Sequence, residues 1–101
     1  MFYVLGANCS FTTKLEDRNV IGIGSDATLS CCLDKEYGVR WYRERSEICM
    51  NDKFRFKDER WKHQLIIADI EEEDSGVYSC RCGTTNTSCK LNVEGCIIYL
   101  Y

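Results

Sequence analysis

The chain has 101 residues, of which 45% are hydrophobic and 29% are charged, and its formal net charge is −3 at pH 7. This length and composition describe one folded domain and exclude a disordered chain. The acidic balance argues against a surface that follows the phosphates of nucleic acid. We therefore expect a single small domain whose partners are other proteins.

The two ends of the chain are apolar but match no targeting pattern. Residues 1–7 lack the basic segment and the cleavage site of a signal peptide. Residues 95–101 are far fewer than the ~20 apolar residues that span a bilayer. We expect neither a secretion signal nor membrane contact, and we divide the chain into an N-terminal extension (1–10), one domain (11–94) and a C-terminal tail (95–101).

Short runs of alternating apolar and polar residues, separated by turn residues, predict β-strands along the chain. In the first half the predicted strands are Phe11–Leu15, Asn19–Ile21, Ala27–Leu33, Val39–Arg43 and Glu47–Met50. Because side chains alternate between the two faces of a strand, Leu29 and Cys31 point into the core and Cys32 points outward. Trp41 points into the core from the strand that follows.

The second half continues the same rhythm. Its predicted strands are Phe54–Lys57, Gln64–Ile70, Val77–Cys82 and Ser88–Val93, and its predicted turns are Asp58–Arg60, Glu71–Asp74 and Gly83–Thr87. Leu65, Tyr78, Cys80 and Leu91 fall on the inward faces. Short strands with regularly spaced turns are typical of an all-β sandwich of two sheets.

Four segments make the pattern specific, and they are Gly24–Cys31, Val39–Tyr42, His63–Asp69 and Glu72–Cys80. Together they resemble the I-set immunoglobulin domain of the giant sarcomeric proteins. The pieces Phe11–Asp17, Ser79–Gly83 and Thr87–Leu91 resemble obscurin-type domains in particular, and titin-type domains next. The segment Glu72–Cys80 carries a tyrosine two residues before a cysteine at a chain reversal, which is the tyrosine corner of that fold. The resemblance implies an antiparallel Greek-key sandwich with this framework: Cys31, Cys80, Trp41, Tyr78, Leu29, Leu65 and Leu91.

The same resemblance implies a cytoplasmic module of the sarcomere that bears load and binds other proteins. The basic stretch from Arg40 to Lys62 offers candidate contacts for an acidic partner, namely Arg40, Arg43, Arg45, Arg55 and Lys57. The composition favours the other interpretation of these charges, a solvated face that keeps the protein soluble. The predicted edge strands Phe11–Leu15 and Ser88–Val93 are further candidates, because an edge strand can pair with a strand of a partner.

Eight cysteines are present, and their redox state depends on the compartment. The resemblance implies that Cys31 and Cys80 form the central cysteine pair of the sandwich, which could be a disulfide or two small buried thiols. A hairpin centred between Thr85 and Asn86 would place Cys82 opposite Cys89, so these two could form a second disulfide or remain as buried thiols. We expect Cys9, Cys49 and Cys96 to be exposed or terminal thiols. Three or four disulfides would favour the alternative of an extracellular adhesion or receptor domain.

Catalytic and metal-binding patterns are not found in the sequence. The chain has one histidine, His63, and no Cys-x-x-Cys motif, so a zinc site would need thiols from opposite faces of a strand. The carboxylates of Glu71–Asp74 are explained by a solvated turn, and no phosphate-binding loop is seen. We expect a binding and structural protein that is not an enzyme and needs no cofactor.

Overall fold

The structure is a computed structural model, and it describes residues 9–95. Residues 1–8 of the predicted extension and residues 96–101 of the predicted tail lie outside the described residues. The strands are β1 (Phe11–Thr13), β2 (Arg18–Ile21), β3 (Ala27–Leu33), β4 (Arg40–Arg43), β5 (Ser46–Glu47), β6 (Phe54–Glu59), β7 (Lys62–Ile67), β8 (Gly76–Cys82) and β9 (Thr85–Glu94). One turn of 3-10 helix, Glu72–Asp74, lies between β7 and β8.

The strands form two sheets, with the orders β1-β3-β7-β6 and β2-β9-β8-β4-β5. The predicted all-β sandwich is confirmed. Every described pair of strands is antiparallel except β2 with β9, which is parallel. The predicted antiparallel pairing is therefore found in every described pair except β2 with β9, which joins the start of the domain to its end.

The chain changes sheets between β1 and β2. Leu15 is buried within this crossing, and its N–H donates to Oγ1 of Thr87 on β9 at 3.2 Å. Asp17 accepts a hydrogen bond from the N–H of Lys90 at 2.7 Å. These contacts attach the crossing segment to β9, so β1 continues in one sheet and β2 in the other.

The core lies between the sheets and contains all seven residues of the predicted framework. Strand β3 alternates buried and half-buried residues along its whole length, which is the pattern of a central strand with one face in the core. Leu29 lies opposite Leu65 in one sheet, and Trp41 lies opposite Cys80 in the other. Removing these side chains from water stabilises the fold by about 0.8 kcal/mol per buried CH₂ group, and this burial supplies most of the favourable free energy of folding.

The corner before β8 is held by Tyr78 and Asp74. The Tyr78 hydroxyl donates to the backbone carbonyl of Asp74 at 2.7 Å, and both residues are buried. The Asp74 carboxylate accepts the N–H of Glu71 at 2.7 Å and pairs with Lys53 Nζ at 2.7 Å. The acidic run is therefore not only a solvated turn, because one of its carboxylates is buried and paired.

The β8–β9 hairpin is tighter than predicted. Cys82 pairs with Thr85 in the ladder, so only Gly83 and Thr84 form the turn, and Gly83 has a positive φ of 59°. Glycine adopts this left-handed conformation without steric cost, which permits a two-residue turn. Strand β9 therefore begins at Thr85, three residues before the predicted start.

Other strand boundaries also differ from the prediction. Strand β6 continues through Asp58 and Glu59, and the turn falls at Arg60, whose φ is 55°. Of the predicted strand Glu47–Met50, only Glu47 lies in a strand, β5 (Ser46–Glu47). Among the described residues, no helix has the length and apolar character needed to cross a membrane.

Candidate functional site

The parallel pair β2–β9 joins the start of the domain to its end. Four ladder pairs run along it: Arg18 with Leu91, Asn19 with Asn92, Val20 with Val93, and Ile21 with Glu94. The N–H of Gly22 continues the ladder by donating to the carbonyl of Glu94 at 2.7 Å. Both strands run in the same direction. A force that pulls the segment before β2 and the segment after β9 in opposite directions therefore loads all of these hydrogen bonds in shear at the same time.

The two ends of the described chain lie at opposite poles of the sandwich. Cys9 contacts Cys82, at the end of β8 where the hairpin to β9 begins. Gly95 lies at the other pole, where its N–H donates to the carboxylate of Glu72 at 3.3 Å. Strand β9 runs from the first pole to the second. The axis between the poles is therefore the direction along which neighbouring chain segments would pull.

Cys9 and Cys82 form a disulfide across 73 residues of sequence, with their Cα atoms 6.6 Å apart. Both side chains are buried beside Leu33, and Phe11 and Val39 pack against them. Two predictions are wrong here: Cys9 is not an exposed thiol of an extension, and Cys82 does not pair with Cys89. The register explains the second error, because Cys89 lies opposite Tyr78 in the tight hairpin.

Cys31 and Cys80 are free thiols in the core, where the sequence analysis had offered them as a disulfide. A hydrogen bond from Cys80 lowers the pKa of the Cys31 thiol below its ordinary value. The same hydrogen bond, reinforced by burial, raises the pKa of Cys80. The pair therefore acts as two small buried groups in contact.

The other described cysteines differ in exposure. Cys89 is a buried free thiol whose pKa is raised by burial to about 11. Cys32 is half-buried and Cys49 is exposed, and both are free. Cys96, which the sequence analysis treated as a terminal thiol, lies outside the described residues. Within residues 9–95, no three His, Cys, Asp or Glu side chains are grouped closely enough to hold a metal ion.

His63 is buried on β7 opposite Cys31. Its Nδ1 lies 2.6 Å from Oδ1 of Asp58, while Nε2 has no partner among the described residues. His63 is the second residue of β7, close to the strand start that the sequence predicts for it. The half-exposed Asp58 carboxylate fixes the ring from the surface side.

The five predicted basic contacts do not form one surface. Arg43 contacts the backbone carbonyls of Glu73 and Ser75 and stacks over the ring of Tyr78, so it holds the acidic corner in place. Arg40 is exposed on β4 of the five-stranded sheet, and Arg45 is exposed in the turn after it. The remaining two lie on the other sheet, because β6 belongs there.

Those two residues, Arg55 and Lys57, alternate with the inward residues of the edge strand β6 and are exposed. Arg55 lies 3.6 Å from the carboxylate of Asp26.

The predicted edge strand Phe11–Leu15 is an edge only over β1. The prediction that Ser88–Val93 is an edge is wrong, since β2 pairs with β9 from Leu91 onward. Sequence periodicity identifies a strand but does not identify its neighbours.

A shallow depression of about 530 Å³ lies beside Arg40 and is lined by Gly38, Val39, Tyr42, Arg81 and Gly83. The Arg81 guanidinium lies 4.9 Å from the centre of the Tyr42 ring. Arg81 and Arg40 are directly opposite each other on β8 and β4. Arg81 is not among the predicted contacts, although its place between the inward Cys80 and Cys82 marks it as outward.

The I-set immunoglobulin family model matches residues 9–94 of the chain. The chain belongs to the I-set immunoglobulin family. Mouse (Mus musculus) myopalladin is 36% identical over 97 residues, a match that takes in 90% of this chain and 7% of myopalladin. The muscle M-line assembly protein unc-89 of Caenorhabditis elegans is 36% identical over 87 residues, or 79% of this chain and 1% of that protein.

A crystal structure of a single titin domain superposes on this I-set domain with a TM-score of 0.79 and 26% identity, and it covers 86% of this chain and 99% of the titin domain. The I-set domain thus corresponds in size to one module of titin. It spans only a small part of the curated relatives that it matches. The predicted resemblance to sarcomeric immunoglobulin domains is confirmed.

Proposed function

We propose that this I-set domain is a cytoplasmic module of a muscle protein of the obscurin or titin type, where it bears load along its long axis and binds other proteins. Relatives that are named as muscle proteins support the setting. The observation that carries the mechanical part is the parallel β2–β9 pair. No step of this role requires a catalytic group.

Shear geometry gives the domain its resistance to load. When two strands are sheared, all the hydrogen bonds between them are loaded at the same time, whereas strands that are peeled apart lose their bonds one by one. The β2–β9 ladder lies between the two poles with its strands along the pulling axis. It is therefore the contact that must break before the rest of the sandwich unfolds, provided that load reaches β2.

The experiment is single-molecule force spectroscopy on the reduced domain, inserted between reference modules, with two proline variants. Gly22 donates to Glu94, and donors on one edge of a strand alternate, so the Val20 N–H also faces β9 and the Asn19 N–H faces away. Val20→Pro removes a load-bearing donor, and Asn19→Pro is the matched control. We expect a lower unfolding force for Val20→Pro only. Equal unfolding forces in the two variants would refute the mechanical role.

For the binding role we propose the face that carries Arg40 and Arg81, because Arg43 is engaged within the domain. Their guanidinium groups suit carboxylates of a partner protein, since arginine binds carboxylates through two parallel donors. Arg55 and Lys57 on β6 form a separate candidate surface on the opposite sheet. Arg45 projects from the turn after β4 and could extend the first surface.

One observation favours a second candidate, an extracellular adhesion or receptor domain. The Cys9–Cys82 disulfide is of a kind that persists in oxidising compartments and is rare in the cytosol. Thiol trapping of the protein in its native cells, followed by peptide mass spectrometry, separates the two settings. Alkylated Cys9 and Cys82 support the cytoplasmic module, whereas a fully bridged population supports the extracellular one.

A further inference from the structure

We propose that Arg40 and Arg81 form a phosphate-binding site, and that the partner they recognise is a protein segment that carries a phosphoserine. The inference rests on the binding face proposed above and names the chemistry of its ligand. It follows from the way in which the two guanidinium groups are placed on neighbouring strands.

The two arginines lie directly opposite each other. Arg40 on β4 and Arg81 on β8 are partners in an antiparallel ladder, and both are exposed. The side chains of such a pair project from the same face of the sheet, with their Cβ atoms about 4.5–5.5 Å apart. Two like charges placed in this way repel each other and destabilise the sheet. An anion bound between them removes that repulsion.

The carboxylates of the domain leave most of this charge uncompensated. Glu47 lies 3.8 Å from Arg40, but the two side chains are 47% and 71% exposed, so this ion pair is weak. Among the described residues, no carboxylate lies within ion-pair distance of Arg81. Its other ladder partner, Asn86 on β9, is uncharged. The site is therefore locally cationic in a chain whose net charge is −3.

The depression beside the pair has room for a ligand. Its volume is about 530 Å³, and none of the residues that line it is acidic. Gly38 contributes no side chain, and a Cβ atom added there would meet nothing within 4 Å. The Arg81 guanidinium lies 4.9 Å from the centre of the Tyr42 ring, and this cation–π contact restricts its position before a ligand arrives. The depression thus places a positioned cation beside open space.

A phosphate monoester matches the two arginines better than a carboxylate does. It carries a charge of about −1.5 to −2 at pH 7 and has three acceptor oxygens. A carboxylate carries a single charge, and one guanidinium occupies both of its oxygens in a bidentate pair. The second guanidinium would then keep its charge and its donors unpaired. A phosphate compensates both arginines at once.

The surroundings of the pair indicate that the phosphate belongs to a protein segment. The next row of outward side chains on the same sheet is Tyr42, Ser79 and Ser88, whose hydroxyl groups can donate to and accept from the amides of a peptide. Nucleic acid and anionic membranes require a broader cationic surface than two arginines provide. Serine is the shortest carrier of a phosphate ester, so it keeps the backbone of the segment close to these hydroxyl groups.

The test titrates the full chain with three short peptides and follows binding by NMR. Each peptide has the sequence Gly-Gly-X-Gly-Gly with blocked ends, and X is phosphoserine, glutamate or serine. We expect the phosphoserine peptide to bind about tenfold or more tightly than the glutamate peptide, because it engages the second guanidinium in charge-assisted hydrogen bonds. The serine peptide should show no binding.

Variants locate the site. Arg40→Gln and Arg81→Gln should each weaken binding of the phosphoserine peptide about tenfold or more, since each removes charged donors. Gly38→Glu places a carboxylate beside the depression, at a position with space for a side chain, and should weaken binding as well. Lys57→Gln is the matched control: it removes the same charge from the opposite sheet and should leave the affinity unchanged.

Three results would overturn the inference. Equal affinity for the phosphoserine and glutamate peptides would show that the face does not select phosphate, and the binding role proposed above would remain. Equal affinity of Arg81→Gln and Lys57→Gln for the phosphoserine peptide would place the phosphate elsewhere. Absence of binding by both charged peptides would also remove this face from the proposed function, whereas the load-bearing role is decided separately by the unfolding forces of Val20→Pro and Asn19→Pro.

Discussion

The Tyr78 hydroxyl joins the buried core to the acidic corner, since it donates to the Asp74 carbonyl from a fully buried position. Tyr78→Phe removes the donor and leaves the carbonyl unsatisfied, which costs about 1–3 kcal/mol. Chemical denaturation measures the loss. Tyr42→Phe, on the outer face of β4, is the matched control and should change the free energy of unfolding by less than about 0.5 kcal/mol. Comparable losses of unfolding free energy in both variants would contradict a stabilising role for the hydrogen bond from Tyr78 to Asp74.

Cys89 gives the domain a pH-dependent stability in alkaline solution. Burial raises the pKa of its thiol from an ordinary 9.0 to about 11. The folded state therefore holds this proton more tightly than the unfolded state, so the contribution is complete below pH 9 and is lost as the pH rises to about 11. The expected slope is about 1.4 kcal/mol per pH unit.

Cys89→Ala should remove that slope between pH 9 and 11. Burial raises the pKa of Tyr78 to about 12, so its own loss of stability begins only near pH 10 and remains in the variant. Denaturation curves at a series of pH values give both quantities. A variant that loses stability as steeply as the unaltered chain just above pH 9 would show that Cys89 has no such role.

Residue positions were predictable from sequence where they depend on local alternation. Trp41, Tyr78 and Cys80 lie in the core because the strand period fixes their side. The bond from Cys9 to Cys82 was not predictable, since residues 1–8 have no periodic pattern and the contact spans 73 residues. Local patterns carry no information on which distant strand lies alongside.

At the scale of elements, the ion pair between Lys53 and Asp74 joins the segment before β6 to the 3-10 turn. Nζ lies 2.7 Å from Oδ2, and the Asp74 side chain is 5% exposed. Lys53→Met leaves that carboxylate buried without its cation, and we expect a loss of about 2–4 kcal/mol. Thermal and chemical unfolding measure it.

Lys57→Met is the matched control for this pair. Lys57 is exposed on β6, and no carboxylate lies within ion-pair distance among the described residues. A lysine of this kind contributes little to stability. If the two variants lost the same stability, the ion pair would not be what holds the turn.

Strands were predicted better than their pairing. The alternation of residues identified β2 and β9, but nothing in either segment indicated that they would pair in parallel. The error in the β8–β9 register has a local cause, because Gly83 permits a turn shorter than the polar run Gly83–Thr87 suggests. That error also produced the wrong Cys82–Cys89 pair.

For the whole molecule, the Cys9–Cys82 bond should stabilise the fold. Closing a loop of 73 residues restricts the unfolded chain, which contributes roughly 4 kcal/mol on the chain-entropy model. Cys9→Ala or reduction should lower the free energy of unfolding by up to that amount. Cys49→Ala should leave it unchanged, and an equal loss in Cys49→Ala would mean that the bond is not the source.

The parallel pairing of β2 with β9 underlies the proposed load-bearing role, and amide hydrogen exchange tests it most directly. Donors that face β9 alternate with donors that face solvent along an edge strand. We predict slow exchange at Val20 and Gly22 and fast exchange at Asn19 and Ile21. Fast exchange at all four amides, or protection without this alternation, would contradict the parallel pair.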